Sequence, residues 1–255
     1  MNHKSWQSIF DAYKIQDHDF SKNPFIITAE QIKKATAHFA NTGEREVRVL
    51  CKQDTRESRP KIFVDNNLFI LPIKNGIYAI LQGEGYIDIP EITEQTKIYI
   101  SKLDFELETS QIGNSEMQHL DFAYASSLVR SFLEDESLVL TIRGRKFTPK
   151  FEFYAGQHKQ LIITESVQTE VDAGYEGRNQ IVLIEAKNSA TKNTIIRQLY
   201  YPFRQWQIRT KKKVNILFFE KRKDIYSLWE FGFVDESDYN SIELIKSARF
   251  EIENK

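Results

Sequence analysis

The sequence predicts an α/β protein, with an N-terminal α+β region followed by a mixed central sheet flanked by helices. Three observations predict it. Apolar residues of helical period (Ile32, Ala35, Phe39, and later Leu120, Tyr124, Leu128, Phe132) alternate along the chain with short runs of strand character. The run 214–220 is almost continuously apolar, as a strand buried on both faces requires. Asn75-Gly76, set between two apolar runs, marks a hairpin in the first half.

Taken in order, Thr28 with Gln31 forms a capping box that opens an amphipathic helix through about Phe39. Residues 46–51 alternate and predict a strand; 68–73 and 76–81 predict two more, joined at Lys74-Asn75-Gly76. The stretch 112–116, with Gly113 and Asn114, interrupts regular structure and divides the chain into an N-terminal region, 1–112, and a second unit, 113–255. There the four-residue recurrence predicts a helix over 116–132, ending near Glu134-Asp135-Glu136. Strands follow over 138–142, 161–164, 169–172 and 180–187, then a helix over about 193–208 and the buried strand 214–220. Helix, antiparallel strands, helix, strand makes an α/β sandwich.

Composition excludes several classes. At 41% hydrophobic and 28% charged, with 18 Phe and 11 Tyr, the 255 residues can bury a core, so disorder is excluded. A lone cysteine, Cys51, permits neither an internal disulfide nor a Cys-rich zinc site. The start MNHKSWQSIF lacks the apolar run of a secretory signal, and no stretch approaches the roughly 20 apolar residues of a membrane span. The expectation is a cytoplasmic protein with no membrane partner. A net charge of −1 argues against a protein that coats nucleic acid by charge alone. Between Arg197 and Lys223, however, nine Lys or Arg face one acid, Glu220, which predicts either a basic face or a solvated lysine-rich turn. The five histidines show no metal-ligand spacing, and Gly83-Glu84-Gly85 lacks the lysine and helix start of a nucleotide-binding loop.

The chemistry concentrates between Glu170 and Lys187. Two strands joined by a glycine-containing turn bring Asp172 to the end of the second strand. Alternation puts Ile181, Leu183, Glu185 and Lys187 on one side of that strand and Val182, Ile184 and Ala186 on the other. A carboxylate and an ammonium at the end of so apolar a strand cost desolvation unless each has a partner. A metal would be one partner. Asp172 and Glu185 offer hard oxygen ligands for Mg²⁺, which takes one or two carboxylates and completes its octahedron with water and phosphate oxygens. Lys187, beside Glu185, is placed to orient or help deprotonate an attacking water, or to stabilise charge on a phosphate. The competing reading is a surface hairpin with a Glu/Lys pair.

An acid in one strand and Glu-x-Lys in the next resembles the PD-(D/E)xK nuclease superfamily, with Asp172, Glu185 and Lys187 at the motif positions and Val171 in place of the proline. The order of elements from Glu116 to Glu220 is similar to that family's restriction-endonuclease-like core. The stretches 141–146, 171–176 and 197–202 resemble those of type II restriction endonucleases. The resemblance implies Mg²⁺, with Mn²⁺ able to substitute, held by Asp172 and Glu185. It also implies sequence-specific cleavage of double-stranded DNA to 5′-phosphates and a cognate DNA methyltransferase as a separate protein. Symmetric cutting is simplest for a homodimer. The alternatives are a structure-selective or repair nuclease with the same centre, and an inactive DNA-binding module.

Further candidates to hold metal or support the site are Glu170, two residues before Asp172; Glu116, at the head of a helix, where an acid also stabilises the helix N-terminus; and Gln198. Gln198 and Tyr201 resemble a glutamine-tyrosine signature of some relatives, with core packing the competing role for Tyr201. The DNA-binding candidates are Arg143, Arg145 and Lys146 near a turn, Arg197, Tyr201 and Arg204 after the motif, and Lys52, Arg56 and Arg59 in the N-terminal region.

Overall fold

A computed structural model describes residues 2–254. In the first unit, helix α1 (His3–Tyr13) buries Trp6, Ile9 and Phe10, one stripe at helical spacing. Strand β1 (Phe25–Thr28) leads into α2 (Ala29–Thr36), which opens on the expected capping box: Gln31 N donates to Thr28 Oγ1 at 3.2 Å and Thr28 N to Gln31 Oε1 at 2.8 Å. The helix stops at Thr36, three residues before Phe39. The strand expected over 46–51 is instead a helical turn, α3 (Val47–Leu50). Val47 and Leu50, three apart, both enter the core, and Trp6 Nε1 donates to Leu50 O at 3.0 Å; tertiary contact overrides the local alternation. Helix α4 (Lys61–Asp65) follows.

The hairpin at Asn75-Gly76 joins β2 (Leu68–Lys74) to β3 (Ile77–Gln82), and Gly76 takes the positive φ (71°) that the turn needs. The antiparallel sheet runs β1-β3-β2. Its residues Ile27, Leu68, Ile70 and Ile80 pack under the four helices, while Phe69, Leu71, Ala79 and Leu81 join the core of the second unit. Burial on both faces explains why 68–71 is apolar throughout.

The larger unit is a seven-stranded mixed sheet. It takes β5 (Lys97–Ile100), β6 (Val139–Phe147), β9 (Gln168–Glu176), β10 (Gln180–Lys187), β12 (Lys213–Arg222), β13 (Ile225–Phe233) and β14 (Ile242–Glu253), in the order β5-β14-β13-β12-β10-β9-β6. Pairs β10–β12 and β14–β5 are parallel and the rest antiparallel. Thus β5, which precedes residue 112, completes this sheet. A short pair, β4 (Tyr86–Asp88) with β11 (Asn193–Ile195), and a hairpin, β7 (Phe151–Ala155) with β8 (Gln160–Thr164), stand beside it.

One face carries α5 (Glu116–Ala125) and α6 (Leu128–Phe132). The single helix expected over 116–132 breaks at Ser126-Ser127, where Ser127 adopts φ 69°. The stripe survives the break: Leu120, Leu128 and Phe132 are buried, and Tyr124 packs against them. The other face carries α7 (Arg197–Gln207), through Leu199, Tyr200, Tyr201 and Phe203. Residues 193–195, expected as the start of this helix, pair with β4 instead. Among the described residues no helix is long and apolar enough to cross a membrane.

Candidate active site

Strands β9 and β10 pair from Glu176↔Ile181 to Ala173↔Ile184, and the turn between them closes with Gly177 N donating to Gln180 O at 2.8 Å. The alternation expected for β10 holds: Val182, Ile184 and Ala186 enter the core beneath α5 and α6, and Ile181 and Leu183 the core beneath α7. By the same pleat Glu185 and Lys187 lie on the α7 side.

At Asp172 the pleat of β9 breaks. Opposite β6, Ile142 pairs Gly174 but Gly144 pairs Val171, so two steps on one strand meet three on the other. Val171 accordingly packs on the α7 side and Ala173 on the other, although they are two residues apart. Asp172 sits at this bulge and turns its carboxylate to β10, where Oδ2 accepts the backbone N–H of Ala186 at 2.7 Å. One catalytic candidate is thereby fastened between the other two.

Lys187 Nζ donates to Glu185 Oε1 at 2.5 Å and to Ala186 O at 3.1 Å. The side chains are 12% (Glu185) and 25% (Lys187) exposed, so the pair is screened little by water. Burial pushes Glu185 up to about 7; the ammonium of Lys187 opposes this and the charge of Asp172 adds to it. Burial also works against the Lys187 ammonium, but the Glu185 carboxylate, with Glu116 and Asp172 behind it, holds the ammonium above its usual range. The sequence-predicted trio is brought together, with one carboxyl near its midpoint at neutral pH.

The oxygens available suit a hard divalent cation. Among the described residues, Asp172 Oδ1 and Glu185 Oε2 receive no protein donor, which leaves one oxygen on each carboxylate for a ligand. No group of three or more His, Cys, Asp or Glu gathers to hold a metal among those residues. Two carboxylates with open positions for water and phosphate are the donor set that Mg²⁺ takes, so the residues fit it and do not form an all-protein cage.

The supporting candidates divide. Glu116 Oε1 accepts the N–H of Asn188 at 3.3 Å, which places this acid at the residue following Lys187. Glu170 is exposed and pairs with Arg145 at 3.3 Å; the bulge at Asp172 removes the two-residue argument for a shared face. Glu170 still lines a narrow cleft with Val171, Leu183, Glu185, Gln198 and Pro202. Gln198 is held there by Thr194, whose hydroxyl donates to Oε1 at 2.6 Å.

Several DNA-binding candidates already have partners within the protein. Tyr201 is fully buried and donates to Pro72 O at 2.9 Å, so it packs and has no surface for a nucleic acid. Arg56 pairs with Glu84 and Asp88, and Arg59 donates to Arg56 O and Leu68 O over the Tyr86 ring. Arg143 pairs with Asp121, Arg197 and Lys52 with Asp54, and Arg204 donates to Glu152 O, Tyr200 and Glu236 O. Lys146 has no carboxylate within ion-pair distance among the described residues.

The basic run does not make one face. Lys211 to Lys213 lie before and at the start of β12 and Lys221 to Lys223 at and beyond its end, about 30 Å apart for ten extended residues. Only the second group shares the sheet end with Glu185, since β10 and β12 are parallel and Lys187 pairs Glu220. Lys212 is taken by Glu176 at 2.5 Å.

Sequence reasoning missed Asn188, Glu220 and Asp54. Glu220 is 8% exposed, accepts Thr191 N at 3.0 Å beside Lys187, and is raised by burial. Asp54 approaches from the first unit and adds to the charge around Glu185. The pairing of distant loops leaves no local signal in the chain.

The family model described as "Domain of unknown function (DUF6997)" matches residues 81–251, and that described as "Domain of unknown function (DUF6996)" matches residues 3–80. No curated protein and no solved structure matches the chain.

Proposed function

This chain belongs to the family described as domain of unknown function DUF6997, matched over more than half its length, and we propose that it is a Mg²⁺-dependent DNA endonuclease of the type II restriction class. The observation that carries this reading is the convergence of Asp172, Glu185 and Lys187 at one end of β10, with the Asp172 carboxylate bonded to the backbone between the other two. The run of α5–α6, β6, β9, β10, α7 and β12 agrees with a restriction-endonuclease-like core, which is part of the proposal.

Asp172 and Glu185 are the residues that would hold the cation. When bound, Mg²⁺ supplies a water of lowered pKa and positive charge against the phosphate. Lys187 keeps its proton and its charge beside the nucleophile, and Glu185 must release its own proton before it can act as a ligand. Water adds to phosphorus as the bond to the 3′ oxygen breaks, leaving a 3′ hydroxyl and a 5′ phosphate. Phosphate contacts fall to the cations near this sheet end: Lys146, Lys221, Arg222 and Lys223. Symmetric cleavage of a duplex assigns the protein a homodimeric state, and a separate methyltransferase protects the host DNA.

Incubation with unmethylated phage DNA and Mg²⁺ tests the reading. The native chain yields discrete fragments, and Lys187→Ala or a chelator yields none. Cleavage confined to branched DNA, or random nicking, replaces the restriction class with a structure-selective nuclease. Binding without cleavage in either Mg²⁺ or Mn²⁺ overturns the enzyme.

A further inference from the structure

The loop around Asp54 to Glu57 crosses from the first unit to β11, the strand that feeds α7. Asn193, in that strand, is 4% exposed. Its Oδ1 accepts the N–H of Arg56 at 2.7 Å, and its Nδ2 donates to both carboxylate oxygens of Glu57 at 3.0 and 3.1 Å. Around it Ile195 N donates to Asp54 O at 2.8 Å and Arg197 Nη2 reaches Asp54 Oδ1 at 3.5 Å. Glu57's own backbone N–H, then the Asn193 amide, hold the Glu57 carboxyl below its usual range, so the acceptor is ionised at neutral pH. Both ends of the Asn193 amide are therefore committed, 136 and 137 residues away in sequence, with a polarity that cannot be reversed.

The next residues carry this contact to the site. Thr194 holds Gln198, and Gln198 lines the cleft that contains Glu185. Helix α7 begins at Arg197 with no side-chain cap at Ile196, and Arg197 N donates instead to the Tyr239 hydroxyl at 2.9 Å, so its first turn is held by distant partners and not by a local cap. The fastening of β11 is one of these. We infer that the first unit is a working part of the catalytic centre: Asn193 is a positioning residue that locks the Asp54–Glu57 loop to β11, and so sets Gln198 and the first turn of α7 against Glu185. This rests on the nuclease reading for its catalytic half, though its structural half stands without it.

Exchanging donor and acceptor across the contact separates the two halves. Asn193→Asp sets a carboxylate against Glu57; Asn193→Asp with Glu57→Gln restores one donor and one acceptor with their places exchanged. Glu57→Gln alone keeps an acceptor for Nδ2 and stays near native, which covers the case in which Asn193→Asp does not fold. In full-length protein, hydrogen exchange of the amides from 194 to 201 rises about tenfold or more in Asn193→Asp and returns to native in the double variant. Cleavage with Mg²⁺ loses about ten- to a hundredfold in kcat with little change in KM, and the double variant recovers it. If the native chain cleaves no DNA, the nuclease reading fails while the exchange data still decide the lock. Unchanged exchange in Asn193→Asp, no recovery in the double variant, or a loss confined to KM overturns the inference.

Discussion

Glu185 sits where two demands on a carboxyl conflict. Burial among Leu183, Val171 and the first turns of α7 favours its neutral form, while a cation ligand must be ionised. Its pKa, about 7 in the folded chain against an ordinary 4.5, means that the folded state binds the extra proton between those values. The resulting stability is complete below about 4.5 and is lost as pH rises through about 7. Free of metal, the native chain should lose roughly 2.5 kcal/mol from this group between pH 5 and pH 8. Glu185→Gln, which carries no proton to lose, should melt about 5 to 10 °C higher than native at pH 8 and alike at pH 5. Thermal unfolding at the two pH values in a chelator checks this. An unchanged pH dependence in Glu185→Gln would show that another group carries it. Mg²⁺ competes with the same proton, so its affinity should rise with pH until Glu185 is ionised.

At the scale of elements, the site depends on β6 and β9 approaching closely enough to force the bulge at Asp172. Gly174 permits it: a Cβ there would lie 2.7 Å from the Cβ of Ile142. Gly174→Ala should destabilise the chain by about 1–3 kcal/mol, read from urea unfolding, because the neighbour is a branched side chain wedged between two strands. Loss below about 0.3 kcal/mol would mean that the strands part without cost.

Much of this architecture was legible locally. The capping box at Thr28, the turn at Asn75-Gly76 and the runs of β10 and β12 each carry their cause within a few residues. What was not legible is set by distant partners. Residues 47–50 coil because Trp6 and the helices of the first unit receive Val47 and Leu50. Residues 193–195 are extended because β4 and the Asp54 loop bond them. Strands β13 and β14 escaped because charged and polar residues interrupt their apolar pattern, whereas the alternation of Phe151, Phe153 and Ala155 in β7 was a signal left unread. The alternation that placed Glu185 and Lys187 together was sound; for Glu170 the two-residue step to Asp172 does not carry across the bulge, because a bulge is a property of the paired strand and not of the residues in it.

At the scale of the whole molecule, the two matched segments abut between Ile80 and Leu81, inside β3, and the strand itself joins them physically in this chain. Ile80 belongs to the core of the first unit, and its neighbours Ala79 and Leu81 to that of the second, so neither core closes without the other. On the nuclease proposal, a net charge of −1 with the cations divided between the two ends of β12 would confine a nucleic-acid contact to the sheet end near Glu185. A nuclease built on Asp172 and Glu185 requires that end to hold a divalent cation. Titration of the full-length chain with Mn²⁺ at pH 8, followed by the loss of the free-ion paramagnetic signal, tests it most directly. Binding should be saturable in the native chain and in Lys187→Ala, and lost in both Asp172→Ala and Glu185→Ala. Binding in the last two variants equal to that of the native chain, or none in any of them, would contradict a cation site there.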